Sequence, residues 1–244
     1  MPMMTLPPPE EKERAVQAMF DSIAPRYDLN NTMLSLGLHH RWKRAAVDRA
    51  RVSPGETALD LCAGTGDLAL RLARKVGAHG RVVAADLNDR MLAVGREKIR
   101  KAGLADRITC LVANAEALPF HERTFDIATV AFGIRNVTDS KKVFAEMHRV
   151  LKPGGRAVCL EFSRPTNAAV RKMYDLYSLY WLPWIGSLIS GDKTGTYRYL
   201  PASIRAFSDQ ETLAQIMINA GFTDVAYRNL TGGIVAIHVG MKLA

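Results

Sequence analysis

Cysteine is scarce in this 244-residue chain, and the three present form no pattern. Cys62, Cys110 and Cys159 each sit in an apolar, strand-like run, at spacings that match neither a zinc motif nor a disulfide framework. They read as small buried residues in a reducing compartment. The six histidines show no metal-ligand spacing. His39 and His40 are neighbours, and adjacent side chains on a helix do not face each other, so no metal site is expected. No apolar run reaches the roughly 18 residues of a membrane span. The amino terminus, MPMMTLPPPEEKER, has prolines where a secretion signal needs an apolar core. Residues 1–15 therefore read as a flexible tail and the chain as cytoplasmic. Acidic residues are in deficit, 24 against 33 basic ones, which leaves a net charge of +9. That balance favours an anionic partner, a nucleic acid or an acidic membrane surface, or is no more than a solvated basic surface. No Lys/Arg run and no internal repeat narrows the choice.

What the sequence does have is alternation. The pattern is helical from about Glu10 to Ala50, with breaks expected at Pro25 and at the turn-like DLNN, Asp28 to Asn31. TALDL, RVVAAD, RITCLVA, FDIATVAF and RAVCLEF then read as strands. Helices lie between them: one to about Lys75, one from Asp89 to Lys101 with Leu92, Ile99 and Ala102 on one face, and one from Ser140 to Leu151. KPGG reads as the turn into the fifth strand. Near-continuous apolar strands separated by helices predict a doubly covered, mostly parallel α/β sheet. A Ser208–Glu211 capping box opens a helix that stops at Gly221. TDVAYRNL and GIVAIHVGMK then pair as an antiparallel hairpin through Thr231-Gly232-Gly233. Residues 16–244 form one domain, in which 16–52 is a helical lid and 168–207 an insertion on the substrate side. Tyr174, Tyr177, Tyr180, Trp181 and Trp184 make that insertion the one aromatic-rich stretch. It reads either as a helix packed on the sheet or as an entrance for an apolar ligand.

The segment LDLCAGTGDLAL, Leu59 to Leu70, carries the chemistry. Gly64 and Gly66 permit a tight turn and close approach of a ligand, as in the G-x-G-x-x-A loop of dinucleotide sites. Asp60 argues against a dinucleotide, because two like charges about 6 Å apart repel by about 3 kcal/mol at an effective dielectric of 20. S-adenosylmethionine carries a sulfonium and an ammonium instead of phosphates, so a carboxylate there helps. Asp86 closes the second strand, 20 residues after Gly66, where it can take both ribose hydroxyls. Asn114, ending the third strand, can bond the adenine edge, with ALPF as an apolar wall. Thr65 reads as a helix cap or a ligand contact.

YDLNNTMLSLGLHHRWKR, LDLCAGTGDLAL, ADLNDRML, NAEALPF, FDIATVAFGIRNVTD, EMHRVLKPGG and YRYLPASIRAF…GF…LTGGIVAIHVGMK occur in order. From Ala18 to Lys242 they resemble the ubiquinone/menaquinone biosynthesis C-methyltransferases. The resemblance implies a Rossmann-like class I methyltransferase: a seven-stranded sheet, the last strand antiparallel, helices on both faces. It implies donor contacts at Thr65, Asp86, Asn114 and Ala115. Many relatives have a serine two residues before the glycine of FG, where this chain has Ala131. One lost hydrogen bond, about 1 kcal/mol net, is not expected to abolish function.

The implied reaction methylates a ring carbon of a polyprenylated quinol. The oxidised quinone ring is electrophilic and would not attack the methyl, whereas the quinol attacks once a hydroxyl of pKa near 10 gives up its proton. Arg135 is a candidate to stabilise the developing phenolate, or else belongs to a structural ion pair. Asn136 is a candidate to orient a quinol oxygen. Tyr27, with Asp28, is a candidate lid over the site, or else core packing. His238 reads as an edge-strand histidine. Peripheral contact with the inner membrane face and contact with other quinone-biosynthesis enzymes are expected. A nucleic-acid partner is not expected: FGIRN stands where amino-group methyltransferases carry an Asn/Asp-Pro-Pro-aromatic tetrad. A non-catalytic donor-binding subunit is the third reading.

Overall fold

The computed structural model describes residues 6–178 and 196–244. Tyr180, Trp181 and Trp184 of the aromatic stretch lie outside the described residues. Seven strands form one sheet in the order β3-β2-β1-β4-β5-β7-β6. They are β1 Thr57–Leu61, β2 Arg81–Asp86, β3 Ile108–Val112, β4 Phe125–Ala131, β5 Leu151–Phe162, β6 Thr223–Leu230 and β7 Val235–Met241. The pairs among β1 to β5 are parallel, and β7 runs antiparallel to both β5 and β6. Strand order reverses at β1, which lies between β2 and β4. The crevice outside the carboxyl ends of these strands is where open α/β sheets bind ligands.

Nine described helices accompany the sheet: α1 Pro9–Ile23, α2 Tyr27–Leu34, α3 Leu38–Arg49, α4 Asp67–Val76, α5 Asp89–Lys101, α6 Ser140–Val150, α7 Ala168–Leu176, α8 Thr196–Ala206 and α9 Gln210–Asn219. On one face of the sheet, Leu68, Leu72 and Val76 of α4 recur at helical spacing. They bury with Val47 of α3 and Ile99 of α5 against Ala58, Val82 and Ile127. On the other face, Phe144 and Met147 of α6 and Leu213 and Met217 of α9 bury against Leu59, Ala128 and Cys159.

Several local expectations shift. The tail expected through residue 15 is helical from Pro9, since a proline in the first turn lacks only an N–H that would go unpaired. DLNN lies inside α2; the break falls at Leu36 (φ 49°) and Gly37 (φ 74°). Thr32 Oγ1 and Ser35 Oγ donate to the Asp28 and Asn31 carbonyls, 2.8 and 2.6 Å away, closing the helix over residues that favour turns when alone. On α5 the core positions include Met91, Leu92 and Ile99, while Ala102 is exposed. KPGG is a bulge within β5: Phe125 pairs with Leu151 but Ile127 with Arg156, and Gly154 adopts φ 76°. The cap of α9 is Asp209, whose side chain accepts from the Thr212 N–H, and not Ser208.

Candidate active site

Two cavities open at the carboxyl end of the sheet and meet. The smaller, about 100 Å³, lies over the glycine loop and the ends of β2, β3 and β4. The larger, about 320 Å³, lies under α1, α2, α3, α7 and α8. Phe20, Tyr27, Phe132 and Asn136 line both.

The smaller cavity has a distinctive charge. Glu13, Asp86 and Glu116 line it, with no Lys, Arg or His among the lining residues. Its other walls are apolar, with Leu87 and Met91 on one side and Ala113 and Ala115 on another. A phosphate-bearing dinucleotide would meet three lining carboxylates and no lining cation, with Lys12 Nζ held at 2.6 Å by the Val137 carbonyl. A ligand carrying a sulfonium and an ammonium meets a favourable field. The sequence located acidity at Asp60; the structure supplies it from other residues.

Asp86 Oδ2 accepts from the Gly64 N–H and Oδ1 from the Asn88 N–H, each at 2.8 Å. Burial pushes its carboxyl pKa up, against the pull of these backbone donors. The carboxylate thus fixes the glycine loop while facing the cavity. Asn88 is held in turn by α1: its Nδ2 donates to Gln17 Oε1 at 3.0 Å and to Asp21 Oδ1 at 2.9 Å. Asn114 lines the same cavity and caps its own turn, Oδ1 accepting from the Glu116 N–H at 2.8 Å. Ala115 lies beside it. Gly64, Asp86, Asn114 and Ala115 are therefore brought together.

Three expected donor contacts are not among the lining residues. Asp60 is 1% exposed. Thr129 Oγ1 donates to its Oδ1 at 2.9 Å, and Oδ2 has no partner within hydrogen-bond geometry among the described residues. Burial raises its pKa to about 7, with Thr129, Lys43 and the Ala69 backbone offsetting only part of the shift. Strand alternation is the reason: Leu59 and Leu61 occupy the α6 face, so Asp60 takes the face of Ala58. Thr65 turns its hydroxyl to Asp28, donating at 2.6 Å. Gly66 (φ 76°) leads into α4, with Ile99 3.5 Å from where a Cβ would stand.

The larger cavity is apolar around a polar centre. Trp42, Phe162, Leu34 and Ile204 line it, together with Arg135, Asn136, Tyr174 and Tyr199. Arg135 Nη1 donates to Glu161 Oε1 at 2.7 Å and to the Phe132 carbonyl at 2.8 Å. The Arg135 and Glu161 side chains are 8% and 1% exposed, and the guanidinium lies 5.3 Å from the Phe162 ring centroid. Arg135 Nε is buried and takes no hydrogen-bond partner among the described residues. Burial raises the Glu161 pKa, while Arg135 opposes the rise. Asn136 Oδ1 accepts from Tyr199 Oη at 3.3 Å. Burial, with smaller contributions from Tyr177 and Glu161, pushes Tyr174 well above its ordinary pKa, and Arg135 and Arg205 oppose it. Tyr174 belongs to the aromatic stretch read as a packed helix or a ligand entrance, and it lines this cavity. Glu161 and Tyr199 were given no role, because a lone Glu at a strand end carries no motif and tyrosine spacing does not report which ring meets a cavity.

Gly133 shows why FGIRN needs its glycine. A Cβ there would stand 2.2 Å from Cys62 Cβ. Cys62 and Phe132 immediately follow β1 and β4, at φ 51° and 59°. Burial holds the Cys62 thiol well above its ordinary pKa, so it packs and stays protonated.

Behind the loop, Lys98 Nζ donates to Asp28 and Asp67 at 2.6 Å each, and Lys43 to Asp67 at 2.8 Å. Burial raises the Asp67 pKa, but the two lysines outweigh it and hold the carboxyl below its ordinary value. The His39 and His40 rings stack with centroids 3.9 Å apart, contrary to expectation. At the first turn of α3 no preceding turn restricts their rotamers. With Asp67 they bring ligand-type atoms within 4.8 Å. Both Asp67 oxygens already hold ammonium groups, which oppose a cation. Burial lowers His39 to about 4, so it stays neutral. His238 is buried on β7, its Nε2 2.9 Å from the Gln210 carbonyl, and lines neither cavity.

Residues 9–242 match the model of the ubiE/COQ5 methyltransferase family. The chain is 50% identical over 233 residues to the ubiquinone/menaquinone biosynthesis C-methyltransferase UbiE of Cronobacter sakazakii, covering 96% of this chain and 92% of that one. It is 52% identical over 232 residues to the protein of that name from Edwardsiella ictaluri, covering 95% and 92%. Among solved structures it resembles a SAM-dependent methyltransferase from Aquifex aeolicus, with TM-score 0.60, 18% identity and coverage of 97% and 99%. It also resembles the [4+2]-cyclase SpnF, with TM-score 0.71 and 18% identity over the full length of both chains. At that identity the two structures show the shared fold alone.

Proposed function

The chain belongs to the ubiE/COQ5 methyltransferase family, and from that premise we propose how its two cavities divide the reaction. The protein is an S-adenosylmethionine-dependent C-methyltransferase of ubiquinone/menaquinone biosynthesis. The smaller cavity holds the donor and the larger one the polyprenylated quinol. Their shared wall of Phe20, Tyr27, Phe132 and Asn136 is the observation that carries this division. Without that junction an apolar acceptor would have no dry route to the donor.

The donor supplies an electrophilic methyl carbon. Asp86 and Asn114 hold its ribose and adenine. Glu13 and Glu116 complement its positive charge. The aromatic junction keeps water from the reacting carbon, and orienting the two reactants supplies much of the acceleration. Arg135 is held by Glu161 and Phe132, so its charge is fixed before the acceptor arrives. Its guanidinium faces a quinol oxygen, where it favours the phenolate formed when the hydroxyl loses its proton, before the ring carbon attacks the methyl. Asn136 orients the same ring, with Tyr199 holding its carbonyl oxygen and leaving its amide hydrogens for the substrate. Tyr27 closes the junction from α2. No helix among the described residues is long and apolar enough to cross a membrane. The chain works from the cytoplasmic side, in peripheral contact with the inner membrane face, near other enzymes of quinone biosynthesis.

The test is transfer of labelled methyl from S-adenosylmethionine to a demethylmenaquinone in detergent micelles, with and without dithionite, beside a methoxy-polyprenyl benzoquinone. Label in the ring only under reduction is the expected result, and the active tube names the ring. No label in any tube, with donor bound, overturns the reading.

A further inference from the structure

Among the described residues eight large apolar side chains are exposed, and five of them lie on two segments that meet at the larger cavity. Leu29 and Met33 stand one turn apart on α2, with Leu36 just beyond. Met173 and Leu176 stand three apart on α7. Leu36 and Met173 both line the cavity, and Tyr177 Oη donates to the Leu34 carbonyl at 2.5 Å, joining the end of α7 to the end of α2. Leu36 is the extreme case. It is 88% exposed and has φ 49°, a conformation unfavourable for a side chain of its size. An apolar side chain held out in water on a strained backbone gains nothing from the fold.

Exposed cations accompany these residues in sequence: Arg41, Arg171 and Lys172. The acidic residues of α2 and α7 are both paired, Asp28 with Lys98 at 2.6 Å and Asp175 with Arg205 at 2.8 Å. Apolar tips flanked by exposed cations that form no ion pair among the described residues complement an anionic bilayer, whose headgroups take the cations while the acyl boundary takes the tips. We propose that Leu29, Met33, Leu36, Met173 and Leu176 form a membrane-docking rim, through which the prenyl tail of the acceptor passes from an anionic leaflet into the cavity. The inference rests on the quinol reading above and assigns the surface through which that substrate enters.

Met33 and Leu176 belong to the rim but not to the cavity lining, so they separate docking from catalysis. The full chain, the Met33→Asp/Leu176→Asp variant and Lys172→Glu are sedimented with phosphatidylcholine vesicles, with and without phosphatidylglycerol, at low and high salt. Methyl transfer is measured in parallel to a long-prenyl quinol in the vesicles and to a short-prenyl quinol in solution. The wild type binds anionic vesicles and is released by salt. The double variant binds at least roughly tenfold more weakly, from the loss of two apolar contacts. Lys172→Glu weakens binding by at least about fivefold. Both variants lose turnover of the embedded quinol and keep turnover of the short one. Wild type that ignores anionic vesicles, or a double variant that binds like wild type, overturns the proposal. So does a wild-type dimer that the double variant dissolves, which gives the rim to a second copy. Vesicle binding without turnover of either acceptor would instead sink the quinol reading and leave the rim standing.

Discussion

Thr65 Oγ1 donates to Asp28 Oδ1 at 2.6 Å, tying the glycine loop to α2 across 37 residues of sequence. Lys98 holds the other Asp28 oxygen at 2.6 Å. The next residue back from Asp28 is Tyr27, part of the junction between the cavities. Asp28→Ala is therefore expected to loosen α2 and weaken donor binding by roughly tenfold or more, the scale of a lost charge-assisted hydrogen bond. Titration calorimetry reads the affinity and hydrogen exchange over residues 27–34 reads the loosening. Unchanged values in both would show that the bond is ornamental.

Asp60 gives a pH signature. Its pKa is about 7 when folded against an ordinary 3.8. Between those values the folded chain keeps a proton that the unfolded chain releases, so this group lowers stability as pH rises from about 4 to about 7 and its full penalty stands above that window. Asp60→Asn removes the titration and keeps an acceptor for Thr129. It is expected to melt higher than wild type above pH 7, by about 1–3 kcal/mol, with the gain vanishing near pH 4. A gain independent of pH would contradict the assignment.

The contrast between these two aspartates shows what the sequence carries. β1, β2, α5 and β6 end where local signals place them, because apolar periodicity, Gly and Asn caps act within a few residues. The meeting of Gly64, Asp86 and Asn114 was legible for the same reason, since each closes or follows a strand at one end of the sheet, while Ala115 was named through the family resemblance. The face that Asp60 takes depends on alternation within β1 and on what α4 covers, which a motif does not state. Thr65–Asp28 and Arg135–Glu161 are long-range pairs: the sequence singled out Thr65, Asp28 and Arg135, and an ion pair for Arg135, but not the partner each takes. DLNN became helix because Asp28 found partners in the fold that compete with a local turn.

Arg135 combines a structural pair with a proposed catalytic contact, and one set of variants separates the two. Arg135→Met leaves Glu161 buried without its cation and is expected to destabilise by about 3–5 kcal/mol. Arg135→Met/Glu161→Gln removes both charges and is expected to recover much of that loss, read by urea unfolding. Activity is expected to stay at least about a hundredfold down in the double variant, on the scale of a lost oxyanion donor. Recovery of activity together with stability would reduce Arg135 to a structural role.

Ile204 lines the larger cavity and is 7% exposed. Ile204→Trp fills part of the space assigned to the acceptor. KM for a long-prenyl quinol is expected to rise by about tenfold or more while donor affinity stays unchanged. A matched loss for donor and acceptor would mean the two cavities are not divided as proposed.

The division itself is tested most directly by a crystal structure of the protein with S-adenosylhomocysteine and a short-prenyl quinol analogue. The account predicts adenosine against Asp86, Asn114 and Ala115. It places the sulfur at the Phe20–Phe132–Asn136 junction and the quinol ring across that junction beside Arg135. A ring bound elsewhere, or a nucleoside outside the cavity of Glu13, Asp86 and Glu116, would contradict it.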